Sequence, residues 1–167
     1  MRRVRVSDKM QKGYSYTLSE SPGRNFHPDF KPELSPAQML ALGVFGGKYL
    51  CDCAAEYPKI WFIKARLSPQ KYDASINFFG VRASQSLAVW RAKGWIHPCD
   101  PRGWFQWYCR YHQGRRIPGY DEIQVQRWVK FRRHLAQVRS HCFEGDLQCR
   151  KGQRQALLHW AYDSRRI

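Results

Sequence analysis

Carboxylates are scarce in this chain beside its cations. Against 29 lysines and arginines stand only 13 aspartates and glutamates, a formal charge of +16 over 167 residues. Such a surplus repels itself unless something anionic accepts it, which argues against a neutral metabolic enzyme. Two or more carboxylates around a metal, as a nuclease needs, cannot be assembled from their spacing. Long apolar runs are missing too: none approaches the ~20 residues that span a bilayer. Met1-Arg-Arg-Val-Arg-Val6 carries charge with no apolar stretch behind it, so no secretory leader is expected. The expectation is an intracellular protein, in cytoplasm, nucleus or nucleoid, with its six cysteines mostly reduced.

Aromatics are abundant: nine Phe, seven Trp and nine Tyr. That is ample surface to bury, which excludes a disordered polybasic tail. Residues 1–34 read as an N-terminal arm, punctuated by Pro22, Pro28 and Pro32 and tipped by Arg2, Arg3 and Arg5; the alternative is a disordered terminus. Residues 35–167 read as a helical domain. Ser35-Pro36-Ala37-Gln38 predicts a capped helix start, and Ser68-Pro69-Gln70-Lys71 repeats the opening. Asp100-Pro101 predicts a third start, followed by Trp104, Trp107, Tyr108 and Tyr111 on one face, with Gly114 as the stop. A fourth, longest helix is expected from Asp121, burying Trp128, Phe131, Leu135, Val138 and Cys142, and a last one over 149–162. The fold class is therefore mostly α: a single compact domain of about five helices with an extended basic N-terminal arm. Lys59–Ile63 stays open between strand and buried helix, and pairing of 59–67 with 1–6 would make the domain α+β.

Residues 101–167 hold 14 basic side chains, of which only Lys130 and Lys151 are not arginine. Arginine suits bidentate phosphate contacts and stacking on bases, where lysine would serve solubility as well. Arg102, Arg110, Arg115, Arg116, Arg127, Lys130 and Arg133 are therefore candidate nucleic-acid contacts; the alternative is a solvated face whose Arg stems cover aromatics. The Trp104–Tyr111 aromatics interleave with these cations as in single-strand binders, but their helical period marks them as core, leaving Phe105 or His112 to face outward.

Residues 74–96, Ala-Ser-Ile-Asn-Phe-Phe-Gly-Val-Arg-Ala-Ser-Gln-Ser-Leu-Ala-Val-Trp-Arg-Ala-Lys-Gly-Trp-Ile, resemble the helix-turn-helix unit of MerR-like and excisionase-like DNA readers. The resemblance makes Gly80-Val81 the turn and Ser84–Lys93 the second helix, with Arg82, Gln85, Ser86 and Arg91 facing DNA and Lys93 near its end. Leu87 and Trp90 come one residue later than in that family, a rotation of ~100°. Leu42-Gly-Val-Phe-Gly-Gly-Lys48 looks like the turn of a helix-hairpin-helix element, whose glycine amides approach a phosphate, with an extra Phe45.

Cys51, Cys53, Cys149 and His159 are the best zinc ligands available, yet only one close cysteine pair exists and no metal or other cofactor is expected. Asp100 and Asp121 are explained as N-caps and Asp146 lies in an apparent turn, whereas Asp52 has no such local explanation. In a base-excising glycosylase it would activate water while Lys48 steadied a phosphate. The leading expectation is a nucleic-acid-binding protein without chemistry of its own, DNA favoured over RNA through residues 74–96. A glycosylase-like enzyme using Asp52 is the alternative, followed by a small basic subunit of a ribonucleoprotein. A membrane-surface protein would need an exposed apolar helix face.

Overall fold

The computed structural model describes residues 1–167. Five α-helices make the domain mostly α: α1 (Pro36–Leu42), α2 (Leu87–Ala92), α3 (Trp104–Gln113), α4 (Tyr120–His141) and α5 (Lys151–His159). The only sheet is an antiparallel hairpin of β1 (Arg2–Arg5) and β2 (Ser15–Leu18), with Arg2 opposite Leu18 and Arg5 opposite Ser15. No helix is long and apolar enough to cross a membrane.

α3 is the axis of the core. Every residue from Trp104 to Gln113 except His112 is buried, so both the aromatic stripe and the polar stripe of Gln106, Arg110 and Gln113 are enclosed. Phe105, expected to be a possible outward residue, is buried as well. Phe30 inserts from the N-terminal segment and lies edge-on to Tyr108 and Trp128 at 5.4 and 5.1 Å. The segment carrying it is tied down along its course. Ser19 and Glu20 amides donate to the Gly114 carbonyl, and the Gly23 amide donates to that of His112. In the hairpin, Val4 and Tyr16 turn inward while Arg3 and Arg5 face solvent, as strand alternation requires, and Arg2 is exposed at the strand's end.

α1 begins as its sequence predicts: Ser35 accepts from the Gln38 amide, Gln38 returns to the Ser35 amide, and Pro36 occupies the first turn. Elsewhere the local signals mislead. Asp100 and Asp121 are not N-caps. Gly103 and Gly119 precede α3 and α4, while Asp121 accepts from the Trp107 indole (2.8 Å) and the Ile117 amide (2.7 Å), joining the two helices. No helix starts at Ser68. Its amide donates to the Gly47 carbonyl, and Asp73's to that of Gly46, so the backbone pairs with the glycine turn instead of with itself. Lys59–Phe62 is one 3-10 turn, neither strand nor α-helix.

The helix-turn-helix resemblance is overturned. Ala74–Ile76 is a single 3-10 turn and α2 spans only six residues, so neither expected helix is present at length. Phe79 is drawn into the core, its amide held by the Gln155 side chain, and Asn77 spends its carboxamide on the Gly46 amide, Tyr72 and the Val81 carbonyl. The Gly43–Gly47 turn is likewise no phosphate contact. Gly43, Gly46 and Gly47 are buried, and a Cβ on Gly46 would lie 2.6 Å from the Tyr72 ring.

Candidate nucleic-acid interface

Four of the twelve predicted contacts are structural. Arg110 forms a bidentate pair with Glu56, Nε to Oε1 at 2.7 Å and Nη2 to Oε2 at 3.1 Å, and its Nη1 donates to Asp100 at 2.9 Å. Arg115 holds the same Asp100 through both terminal nitrogens, and the Tyr120 hydroxyl donates to it at 2.9 Å. These side chains are fully buried, two cations facing two carboxylates, so no phosphate reaches them. Arg102 grips Asp8 at 2.6 and 2.8 Å and Asp52 at 3.0 Å, and its hydrogen bonds hold the Asp8 carboxyl below its ordinary pKa. Arg116 donates to the carbonyls of Tyr111, Arg115, Arg24 and Asn25 and lies over the Tyr111 ring at 3.8 Å. It fastens the N-terminal segment. Only Arg110 belongs to α3 itself; Arg102, Arg115 and Arg116 flank the helix and hold the segments that cover it.

The other eight lie around the segment that carries α2. Arg91 and Lys93 are exposed, the latter with its ammonium 4.7 Å from the Trp95 ring. Arg82, Gln85 and Ser86 line a cavity of about 430 Å³ together with Asp52, Lys48, Cys51 and Arg102. Arg82 lies over the Tyr72 ring at 4.3 Å, and Ser86 caps α2. Asp52 is 63% exposed and engaged by Arg102.

Arg127, Lys130 and Arg133 come from α4 and line a second cavity of about 550 Å³. It shares Phe45, Ser84, Gln85 and Trp90 with the first, so the two form a continuous cleft beneath the 83–96 segment. Trp90, Trp95, Phe131 and Trp160 supply its aromatic walls, His134 sits beside the cations, and no carboxylate lines it. Phe131 lies parallel to Trp160 at 4.8 Å, and Trp160 to Trp104 at 4.6 Å, a stack reaching from the cleft into the core. Arg127 is anchored by the Trp95 carbonyl (3.1 Å) and Gln124 (2.9 Å), whereas Lys130 and Arg133 are exposed.

His159 closes the cleft from α5. It is 2% exposed, lies parallel to Phe45 at 4.3 Å, and neither ring nitrogen has a hydrogen-bond partner. Burial pushes its pKa down to about 3, so the ring is neutral. Sequence reading missed this cleft because its walls come from α2's segment, α4 and α5, and no spacing within one element announces the meeting. The only local hint is that Lys130, Arg133 and His134 flank Phe131 on one helix.

One pair of cysteines departs from the expected reduced state. Cys142 and Cys149 form a disulfide, which takes Cys149 out of any zinc set, while Cys51, Cys53, Cys99 and Cys109 are free. Burial pushes the Cys53 thiol up to about 12. No three His, Cys, Asp or Glu side chains gather into a metal-binding group. No protein-family model, curated protein or solved structure matches this chain.

Proposed function

We propose that this protein binds nucleic acid, holding phosphates with the exposed cations of α4 along the mouth of the aromatic cleft. One observation carries the reading: Arg127, Lys130 and Arg133 share a carboxylate-free cavity with four tryptophans and three phenylalanines. Cations beside aromatic faces are what a strand needs for backbone and bases at once. The chain's +16 charge favours the encounter. The preference for DNA rested on a helix-turn-helix that does not form, so the proposal is for nucleic acid with accessible bases, of either sugar.

Fluorescence anisotropy against single-stranded DNA, duplex DNA and structured RNA over a salt series tests it. Three phosphates on a single strand predict a log–log slope near −2, from ~0.7 per phosphate. Reversing Lys130 and Arg133 to glutamate is expected to weaken every ligand and flatten that slope. No binding at physiological salt overturns the reading.

A second reading keeps the enzyme. Asp52 and Lys48 line the same cavity as Arg82 and Arg102, next to the aromatic cleft, the placement that base excision requires of a water-activating carboxylate. Base loss from DNA incubated with the protein, abolished in Asp52→Asn with binding retained, would establish it. Intact DNA leaves the binding reading alone.

A further inference from the structure

We propose that the cleft between the 83–96 segment and the α4–α5 pair takes up a single unstacked nucleobase, its ring against the tryptophans and its polar edge on His159. This deepens the nucleic-acid reading and rests on it. Three observations converge. Trp90, Trp95 and Trp160 enclose a cavity of about 550 Å³, within the range of sites for small planar ligands. Lys130 and Arg133 lie exposed where the same nucleotide's phosphate would sit, and no carboxylate opposes it.

The third observation is His159. A buried polar ring with both nitrogens unpartnered is rare, because desolvated donors and acceptors are normally satisfied. A neutral imidazole offers one N–H donor and one acceptor. The two ring nitrogens diverge, so one base meets one of them. Because the pairing edge of every nucleobase carries both a donor and an acceptor, it can serve either tautomer; proteins that extrude bases read that edge while stacking the ring on aromatics. Phe45 covers the imidazole face at 4.3 Å, so the ring edge is the part left to bond. An aliphatic ligand would leave both nitrogens unpaired.

The test uses the full chain and two strands of equal length, an oligothymidylate and its abasic counterpart with the same phosphodiester backbone. The expected result is about tenfold tighter binding of the base-bearing strand, the scale of one stacked base, with quenching of tryptophan fluorescence. Trp95→Ala and His159→Phe are each expected to bring the two affinities together while leaving the abasic strand's unchanged. The Trp95 ring is 43% exposed, so that variant keeps the test alive if the His159 variant does not fold. Equal binding of both strands by the unaltered protein overturns the base pocket and spares the nucleic-acid reading. Failure of both strands and of thymidine monophosphate to bind overturns the two together. Thymidine monophosphate that quenches the tryptophans while neither strand binds overturns the strand and makes a free nucleotide the occupant.

Discussion

Arg110 and Glu56 meet 54 residues apart in sequence, two parallel hydrogen bonds joining side chains that are both fully buried. Glu56 also accepts from the Tyr16 hydroxyl at 2.7 Å, and the Arg110 and Arg115 guanidiniums lie 5.2 and 5.5 Å from the Tyr16 ring. The pair therefore joins the central helix to the N-terminal hairpin. Four of the hairpin's eight strand residues face outward with their charges or hydroxyls, so this polar anchor supplements a small apolar cluster of Val4, Val6 and Tyr16.

Glu56→Gln should be severely destabilising. It keeps the shape but leaves a buried guanidinium facing Asp100 and a neutral amide, and breaking one side of a buried pair costs about 3–5 kcal/mol. Urea unfolding should show an unfolding free energy lower by that amount, with the midpoint shifted down in proportion. Arg133→Met, at an exposed position on α4, should stay within about 0.5 kcal/mol of the unaltered protein. Equal stabilities would show that the Arg110 cluster is not the anchor described.

The second expectation concerns acid. His159 is neutral in the folded chain, with its pKa lowered by burial to about 3, against ~6.5 when unfolded. Between these values the unfolded chain binds a proton that the folded chain refuses, so stability falls as pH drops through ~6.5 and levels off only near 3. From pH 7 to pH 5 the loss is about 2 kcal/mol, at ~1.4 kcal/mol per unit. His112, also lowered by burial, adds in the same sense. His159→Phe should remove its own share, measured as the difference in urea midpoint at the two pH values. An unchanged difference would mean that His159 is protonated in the folded state.

How far the sequence was readable follows from what each signal depends on. The Ser35 capping box is a four-residue contact, and it forms as read. The aromatic period of α3 is local too, and it correctly marked Trp104, Trp107, Tyr108 and Tyr111 as core. What no local pattern reveals is that α3 is covered on its polar side as well. Arg102 and Arg110 look like surface cations until Asp8 and Glu56 arrive from distant segments, and Arg115 until the turn before α3 folds Asp100 onto it. The cleft had the same obstacle, since Trp95, Lys130 and His159 come together only in the folded chain. Asp52 and Lys48, four residues apart, do line one cavity with Arg82, Gln85 and Ser86, although the helix-turn-helix that suggested the last three is not there.

Reduction of the Cys142–Cys149 disulfide should cost stability but not the fold. The bridge closes a loop with a sequence separation of seven beyond the end of α4. Loop-closure entropy for so short a ring amounts to about 2–2.5 kcal/mol. Cys142→Ser, or a thiol reductant, should lower the unfolding free energy by that much, read from the urea midpoint and slope. Since neither cysteine lines the cleft, strand binding at low temperature should be the same in both redox states. A binding change on reduction would mean that the α4–α5 connection controls the cleft.

Gly43→Ala separates the two accounts of the turn at Leu42–Lys48. Gly43 has φ +96°, and a Cβ there would lie 1.9 Å from the Ile76 carbonyl oxygen, a backbone atom that cannot step aside. Its carbonyl accepts from the Phe78 amide (3.1 Å) and from Gln155 (3.1 Å), and Gln155 in turn accepts from the Phe79 amide. The turn is thus knotted to α5 four residues before His159, and the substitution should destabilise by well over ~2 kcal/mol, strain and clash together. Gly80→Ala is the control: φ is +68°, nothing lies within 4 Å of the added Cβ, and the cost should be about 1–2 kcal/mol. If Gly43→Ala were as stable as the unaltered protein yet bound strands more weakly, the turn would be a phosphate contact after all. A large loss of stability, with the remaining folded protein binding normally, places the glycine in the packing that holds α5 and its histidine against the cleft.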